Sequence, residues 1–160
     1  MNSKTKFIQL SVAVAAFLGF AACNPTSTMD ERDAFVGAYS YQSTGKIDFY
    51  AGSKIILSKS LNEEGTLTIS KKGDKDQVNI IGYNDTIQAT VSGNTLTLEA
   101  NEFDVENGGM VLHLNFVYDK ATLKDDVLTW QSDVTGSATY MGITANGNGS
   151  VTTTATKLQK

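Results

Sequence analysis

The residues able to do chemistry are few and poorly grouped. The one histidine, His113, lies between Leu112 and Leu114, and on a strand it would share a face with Val111, Asn115 and Val117. A nucleophilic triad would need a serine and an acid brought to it from other strands, and no G-x-S-x-G pattern accompanies it. A lone imidazole also falls short of the two or three that zinc sites use. One cysteine in 160 residues excludes a disulfide framework and a thiolate metal cluster. Acids crowd at Glu102, Asp104 and Glu106, between Asn101 and Asn107, and again at Asp74 and Asp76. Neither group has the spacing of a calcium loop, and both are expected to be solvated turns. Paired carboxylates for glycoside hydrolysis lack any partner motif. The expectation is therefore no catalytic residue, no metal and no cofactor: a binding protein and not an enzyme.

Aromatic residues carry more information. Tyr39, Tyr41, Phe49, Tyr50, Tyr83, Phe103, Phe116, Tyr118, Trp130 and Tyr140 are spread along nearly every apolar segment. Tyrosine and tryptophan combine an apolar body with a polar tip, which suits a ligand pocket as well as a packed interior. Tyr39, Tyr41, Phe116, Tyr118 and Trp130 are the candidate pocket residues, because they alternate in step with other apolar positions or fall in the strongest strands. Tyr39 and Tyr41 share one face of the first strand.

The elements that position these residues read as strands. Leu67 and Ile69 alternate with Thr66, Thr68 and Ser70, and Ile87, Ala89 and Val91 alternate with Thr86, Gln88 and Thr90. Leu96, Leu98 and Ala100 follow Gly93-Asn94, a strong hairpin signal. Leu112, Leu114, Phe116 and Tyr118 repeat the period, and Asp125-Asp126 turns the chain into Val127-Leu128-Thr129-Trp130. Further turns are expected at Glu63-Glu64-Gly65, Lys72-Gly73-Asp74, Asn84-Asp85, Asn107-Gly108-Gly109 and Asn146-Gly147-Asn148-Gly149, the last leading to a final strand from Val151 to Lys157. No segment keeps a helical period over 11 residues, although Asp30 to Val36 has room for one helical turn. Short strands and tight turns predict an all-β antiparallel meander, and closure would remove its exposed edges. An eight- to ten-stranded barrel over residues 35–160 is the expected fold, with a sandwich as the alternative.

The start of the chain reads as an address. Lys4 and Lys6 precede an apolar run from Phe7 to Phe20, too short for a comfortable span of about 20 residues. Phe20-Ala21-Ala22-Cys23 resembles the lipobox of bacterial lipoproteins, with Phe in the slot usually held by Leu. The resemblance implies a signal peptide over residues 1–22, with Cys23 lipidated and attached to a membrane. Asn24 follows the cysteine in place of the Asp that commonly retains lipoproteins in the inner membrane, so the outer membrane of the cell envelope is expected. Residues 23–34, with an acidic cluster at Asp30, Glu31 and Asp33, read as the lipidated cysteine and a polar tether. Without Lys4 and Lys6, 11 basic residues face 17 acidic ones, a net charge of −6 that disfavours nucleic acid as a partner.

Phe35-Val36-Gly37-Ala38-Tyr39 resembles the first-strand signature of lipocalins, an aromatic residue followed by Gly-x-Trp, with Tyr39 in the tryptophan position. A signal-bearing start, this opening and about 125 residues of hairpins are similar to small lipocalin-like lipoproteins of Bacteroidetes. The central Thr-Asp-Tyr and the last-strand Arg of lipocalins have no counterpart here. The resemblance implies a cup-shaped barrel for a small hydrophobic or amphipathic ligand. A filled barrel acting on an envelope protein, as an interaction or inhibitor module using its Asn- and Gly-rich rims, is the alternative. Asp85-Thr86-Ile87 resembles the D-[ST]-aliphatic acceptor of Bacteroidetes O-glycosylation, which would place a glycan on Thr86.

Overall fold

A computed structural model describes residues 29–73, 75–82, 85–107 and 109–159. The signal segment and Cys23 lie outside the described residues, as do Asp74, Tyr83, Asn84 and Gly108 from the expectations above. A 3-10 turn, Glu31–Ala34, is followed by strands β1 (Gly37–Ala51), β2 (Lys54–Ser60), β3 (Glu63–Lys71), β4 (Gln77–Ile81), β5 (Thr86–Ser92) and β6 (Thr95–Leu98). The chain continues through β7 (Asn101–Asn107), β8 (Met110–Tyr118), β9 (Ala121–Lys124), β10 (Val127–Tyr140) and β11 (Ile143–Lys157). All pairings are antiparallel, and β1-β3-β4-β5-β6-β9-β10-β11 closes on itself through the β11–β1 pairing as an eight-stranded barrel. The expected all-β barrel is the observed fold.

Three strands are long, and this was not expected. β1 and β11 have 15 residues each and β10 has 14. The first half of β1 pairs with β3 and its second half with β2, while β10 pairs first with β9 and then with β8. The long strands therefore leave the barrel and continue into an extension of the same sheet, β2-β1-β11-β10-β8-β7. Asp48 helps to hold β2 in place. Its carboxylate accepts from Ser58 Oγ at 2.6 Å and Lys46 Nζ at 2.7 Å, and these partners hold its pKa below the usual carboxylate range.

Two expected turns are strand instead. Asn146-Gly147-Asn148-Gly149 lies inside β11, and the reversal before it is made by Met141-Gly142, with φ of +48° and +79°. Glu63-Glu64-Gly65 opens β3. Gly149 of β11 and Gly45 of β1 are there because two backbones close in on each other, which a side chain would prevent, whereas Gly65 makes room for the Tyr41 ring. A Cβ on Gly149 would overlap the Lys46 carbonyl oxygen and stand 2.7 Å from Ile47 Cα. One on Gly45 would stand 2.7 Å from Val151 Cα. Asp125 and Asp126 do form a turn, with φ of +51° and +62°. Left-handed backbone at both central positions is strained for aspartate, so Asp125→Asn with Asp126→Gly should raise stability by about 0.5–1 kcal/mol in a melting experiment.

The interior divides in two. The barrel holds one apolar cluster that includes Phe35, Tyr39, Ile69, Val78, Leu96, Leu128 and Trp130. Ile47, Phe49, Leu112, Leu114, Val134 and Val151 form another where the long strands meet β8. Between them the inward positions are small and polar. Ser43 pairs across the ladder with Thr153, their hydroxyls 2.8 Å apart, and Thr153 in turn faces Trp130 on β10.

The base of the barrel is closed. Phe35 is fully buried there, and Tyr39 beside it donates its hydroxyl to the Phe35 carbonyl at 2.7 Å. Desolvation raises the Tyr39 phenol to about 12. Lys157 sits 5.9 Å above the Tyr39 ring and donates to the Ala34 carbonyl at 2.8 Å. The 3-10 turn is clamped by Asp30, which meets Arg32 at 2.7 Å and Lys71 at 2.8 Å, and these two cations drive the Asp30 pKa far below the usual carboxylate range. Tyr39→Phe removes one buried hydrogen bond and orphans a carbonyl, so it should cost about 1–2 kcal/mol in denaturant unfolding.

Candidate functional site

The other end of the barrel is open. Above Trp130 lies a cavity of about 560 Å³, within the range of small-molecule sites. Its floor is the upper barrel wall: Leu67 of β3, Ile80 of β4, Ile87 of β5 and Trp130 of β10. The β7–β8 hairpin stands over one side and contributes Phe103, Val105, Leu114, Phe116 and Tyr118. The link from β2 to β3 supplies Ser60, Leu61, Asn62 and Glu63, and Gly82 with Asp85 brings in the β4–β5 turn. The hydroxyls of Ser43, Ser132 and Thr153 face it from the polar waist.

Aromatic packing sets the shape of the wall. Phe103 meets Phe116 edge to face at 5.4 Å and 87°, and Phe116 stacks on Tyr118 at 6.3 Å and 19°. Both geometries are favoured arrangements of ring quadrupoles. Tyr41 donates its hydroxyl to Glu63 Oε1 at 2.8 Å across the mouth. Burial, the hydrogen bond to Glu63 and that carboxylate's charge raise the Tyr41 phenol to about 12. Burial and the nearby charge of Asp85 do the same for Tyr118. Both phenols are therefore neutral hydrogen-bonding groups at physiological pH.

The structure gathers Tyr41, Phe116, Tyr118 and Trp130 around this one cavity. Tyr39 is not among the lining residues: it belongs to the sealed base, one inward step below Tyr41. Thr86 is exposed at the start of β5, with its N–H donating to Asp85 Oδ1 at 2.7 Å. His113 faces outward and pairs with Asp104 at 2.6 Å on the exposed side of the β7–β8 hairpin. The acid-rich segment 101–107 is strand β7 and not a solvated turn. Glu102, Asp104 and Glu106 are exposed, while Phe103 and Val105 line the cavity. The alternation of that segment was the available signal for Phe103, and the density of acids obscured it. The floor residues Leu67, Ile80 and Ile87 carried no signal that separated pocket from core.

Fold and cavity together define a class: an antiparallel barrel of lipocalin-like architecture with an open, aromatic-walled cup. No protein-family model matches the chain, and no curated protein matches it. Among solved structures it is similar to the S-type phycobiliprotein lyase CPES from Guillardia theta, at 8% identity over 80% of this chain and 90% of that one, with a TM-score of 0.31. That neighbour is named as a lyase, against the expectation that the chain is not an enzyme. Likeness at this level carries no lyase chemistry to the present residues.

Proposed function

We propose that this chain is a lipid-anchored binding protein of the cell envelope that holds a small hydrophobic or amphipathic ligand in the barrel mouth. The observation that carries the reading is the open cavity of about 560 Å³, with five aromatic side chains on its wall and floor. A barrel built for stability alone would fill that volume, since packed interiors rarely leave voids larger than a water. The phenols of Tyr41 and Tyr118 and the hydroxyls at the waist give an amphipathic guest its polar contacts. The anchor rests on the apolar run ending in Phe20-Ala21-Ala22-Cys23 and on the outer-membrane preference inferred from Asn24. Residues 30–34 meet the barrel at its closed base, so an attachment there leaves the mouth unobstructed. Thr86, exposed beside that mouth, is the proposed glycan acceptor.

Native mass spectrometry of the protein isolated mildly from its own membranes tests the reading. A small mass that co-purifies and is lost on denaturation is expected, together with an acyl mass on Cys23 and a glycan on Thr86. A bare protein would favour a role on an envelope partner instead. That alternative has a contact surface in the β10–β11 tip, where Tyr140, Met141 and Ile143 are exposed.

A further inference from the structure

Among the described residues lining the cavity, two are ionisable at neutral pH, Glu63 and Asp85, and both are acids. Glu63 accepts the Tyr41 hydroxyl, and Asp85 accepts from the Asn101 side chain and the Thr86 N–H. Among the described residues neither carboxylate is paired with a lysine or arginine, whereas Asp30 and Asp48 elsewhere in the molecule both are. Their charge therefore faces the mouth unneutralised, above a low-dielectric aromatic wall that focuses it inward. Phe116, Tyr118 and Trp130 line the same region, and an aromatic face presented to a guest attracts a cation and repels an anion.

From this arrangement we propose that the cup selects amphiphiles with a cationic head, an organic ammonium on an apolar body. The proposal rests on the ligand-pocket reading above and deepens it. The apolar body enters between the β7–β8 hairpin and the barrel, and the ammonium stays at the rim between Glu63 and Asp85. Fatty-acid and sulfate heads are rejected there, because the rim offers an anion no countercharge and two like charges.

The sole tryptophan of the chain, Trp130, lines the cavity and reports occupancy by its own fluorescence. Titrating the full chain with decyltrimethylammonium, 1-decanol and decyl sulfate holds the tail constant while the head charge changes. The ammonium is expected to bind roughly three- to tenfold more tightly than the alcohol, and the sulfate more weakly than either, with the spread shrinking at high salt. Glu63→Gln with Asp85→Asn keeps both hydrogen-bond acceptors and should abolish most of that preference. Both residues are exposed, so the variant is expected to fold, and Glu102→Gln with Asp104→Asn on the outer face should leave the preference unchanged. Equal binding of the three probes, or tightest binding of the sulfate, would overturn the cation inference and leave the pocket standing. A preference that survives the rim double variant would overturn its assignment to these carboxylates. Binding of none of the probes would overturn both.

Discussion

Gly149→Ala is expected to destabilise the protein by roughly 3 kcal/mol or more, which for a domain of this size lowers the melting temperature by about 10 °C. The mechanism is steric. The added methyl would overlap the Lys46 carbonyl oxygen and crowd Ile47 Cα at 2.7 Å, both of them backbone atoms that cannot rotate away. Relief requires β1 and β11 to separate where they leave the barrel, and Ile47 and Phe49 in the neighbouring cluster would move with them. Gly45→Ala should behave alike, since its methyl would stand 2.7 Å from Val151 Cα on the same strand pair. Gly73→Ala is the control. Nothing lies within 4 Å of its added methyl and its φ needs no glycine, so its effect should stay within about 0.5 kcal/mol. Thermal melts that put Gly149→Ala level with Gly73→Ala would contradict the close crossing of the two strands.

Those same glycines show what the sequence could and could not disclose. The barrel was legible because Leu67, Ile69, Ile87, Ala89, Val91, Leu96 and Leu98 alternate cleanly, and a buried face tolerates no one-residue slip. The Gly93-Asn94 and Asp125-Asp126 turns were legible because those types accept positive φ. Asn146-Gly147-Asn148-Gly149 has the same composition for a different reason. Glycine permits a turn and also permits close approach of a second backbone, and the second use depends on a strand 100 residues away. Strand length was lost with it, and so was the sheet extension that walls the cup. Tyr41, Phe116, Tyr118 and Trp130 stand out by alternation, which separates inward from outward but gives no height along the barrel axis. Tyr39 and Tyr41 share a face two residues apart, yet one seals the base and the other reaches the mouth. That height is fixed by the 3-10 turn and Phe35 below, a tertiary contact with no local signature.

The cavity makes Phe116 the most informative position for binding. Its ring stands between Phe103, in an edge-to-face contact, and Tyr118, on which it stacks, and it remains partly exposed to the cavity. A guest in the cup covers the exposed part, so truncation removes contact area from the complex and also loosens both neighbouring rings. With N-phenyl-1-naphthylamine as a neutral fluorescent guest, Phe116→Ala should weaken binding about tenfold, equivalent to roughly 1.4 kcal/mol. Tyr118→Ala should weaken it by a similar factor. Trp130→Ala is a poorer experiment, because the nearly buried indole belongs to the barrel core and its loss would cost roughly 3–5 kcal/mol of stability as well. Tyr39→Phe supplies the opposite control: it should lower stability while leaving affinity within twofold or so, since its ring lies beneath the floor. Unchanged affinity in both Phe116→Ala and Tyr118→Ala, with the fold intact by circular dichroism, would mean that the guest binds outside the cup. A loss confined to those two positions would tie recognition to the β7–β8 hairpin, the part of the molecule that is added to the eight-stranded barrel and overhangs its mouth.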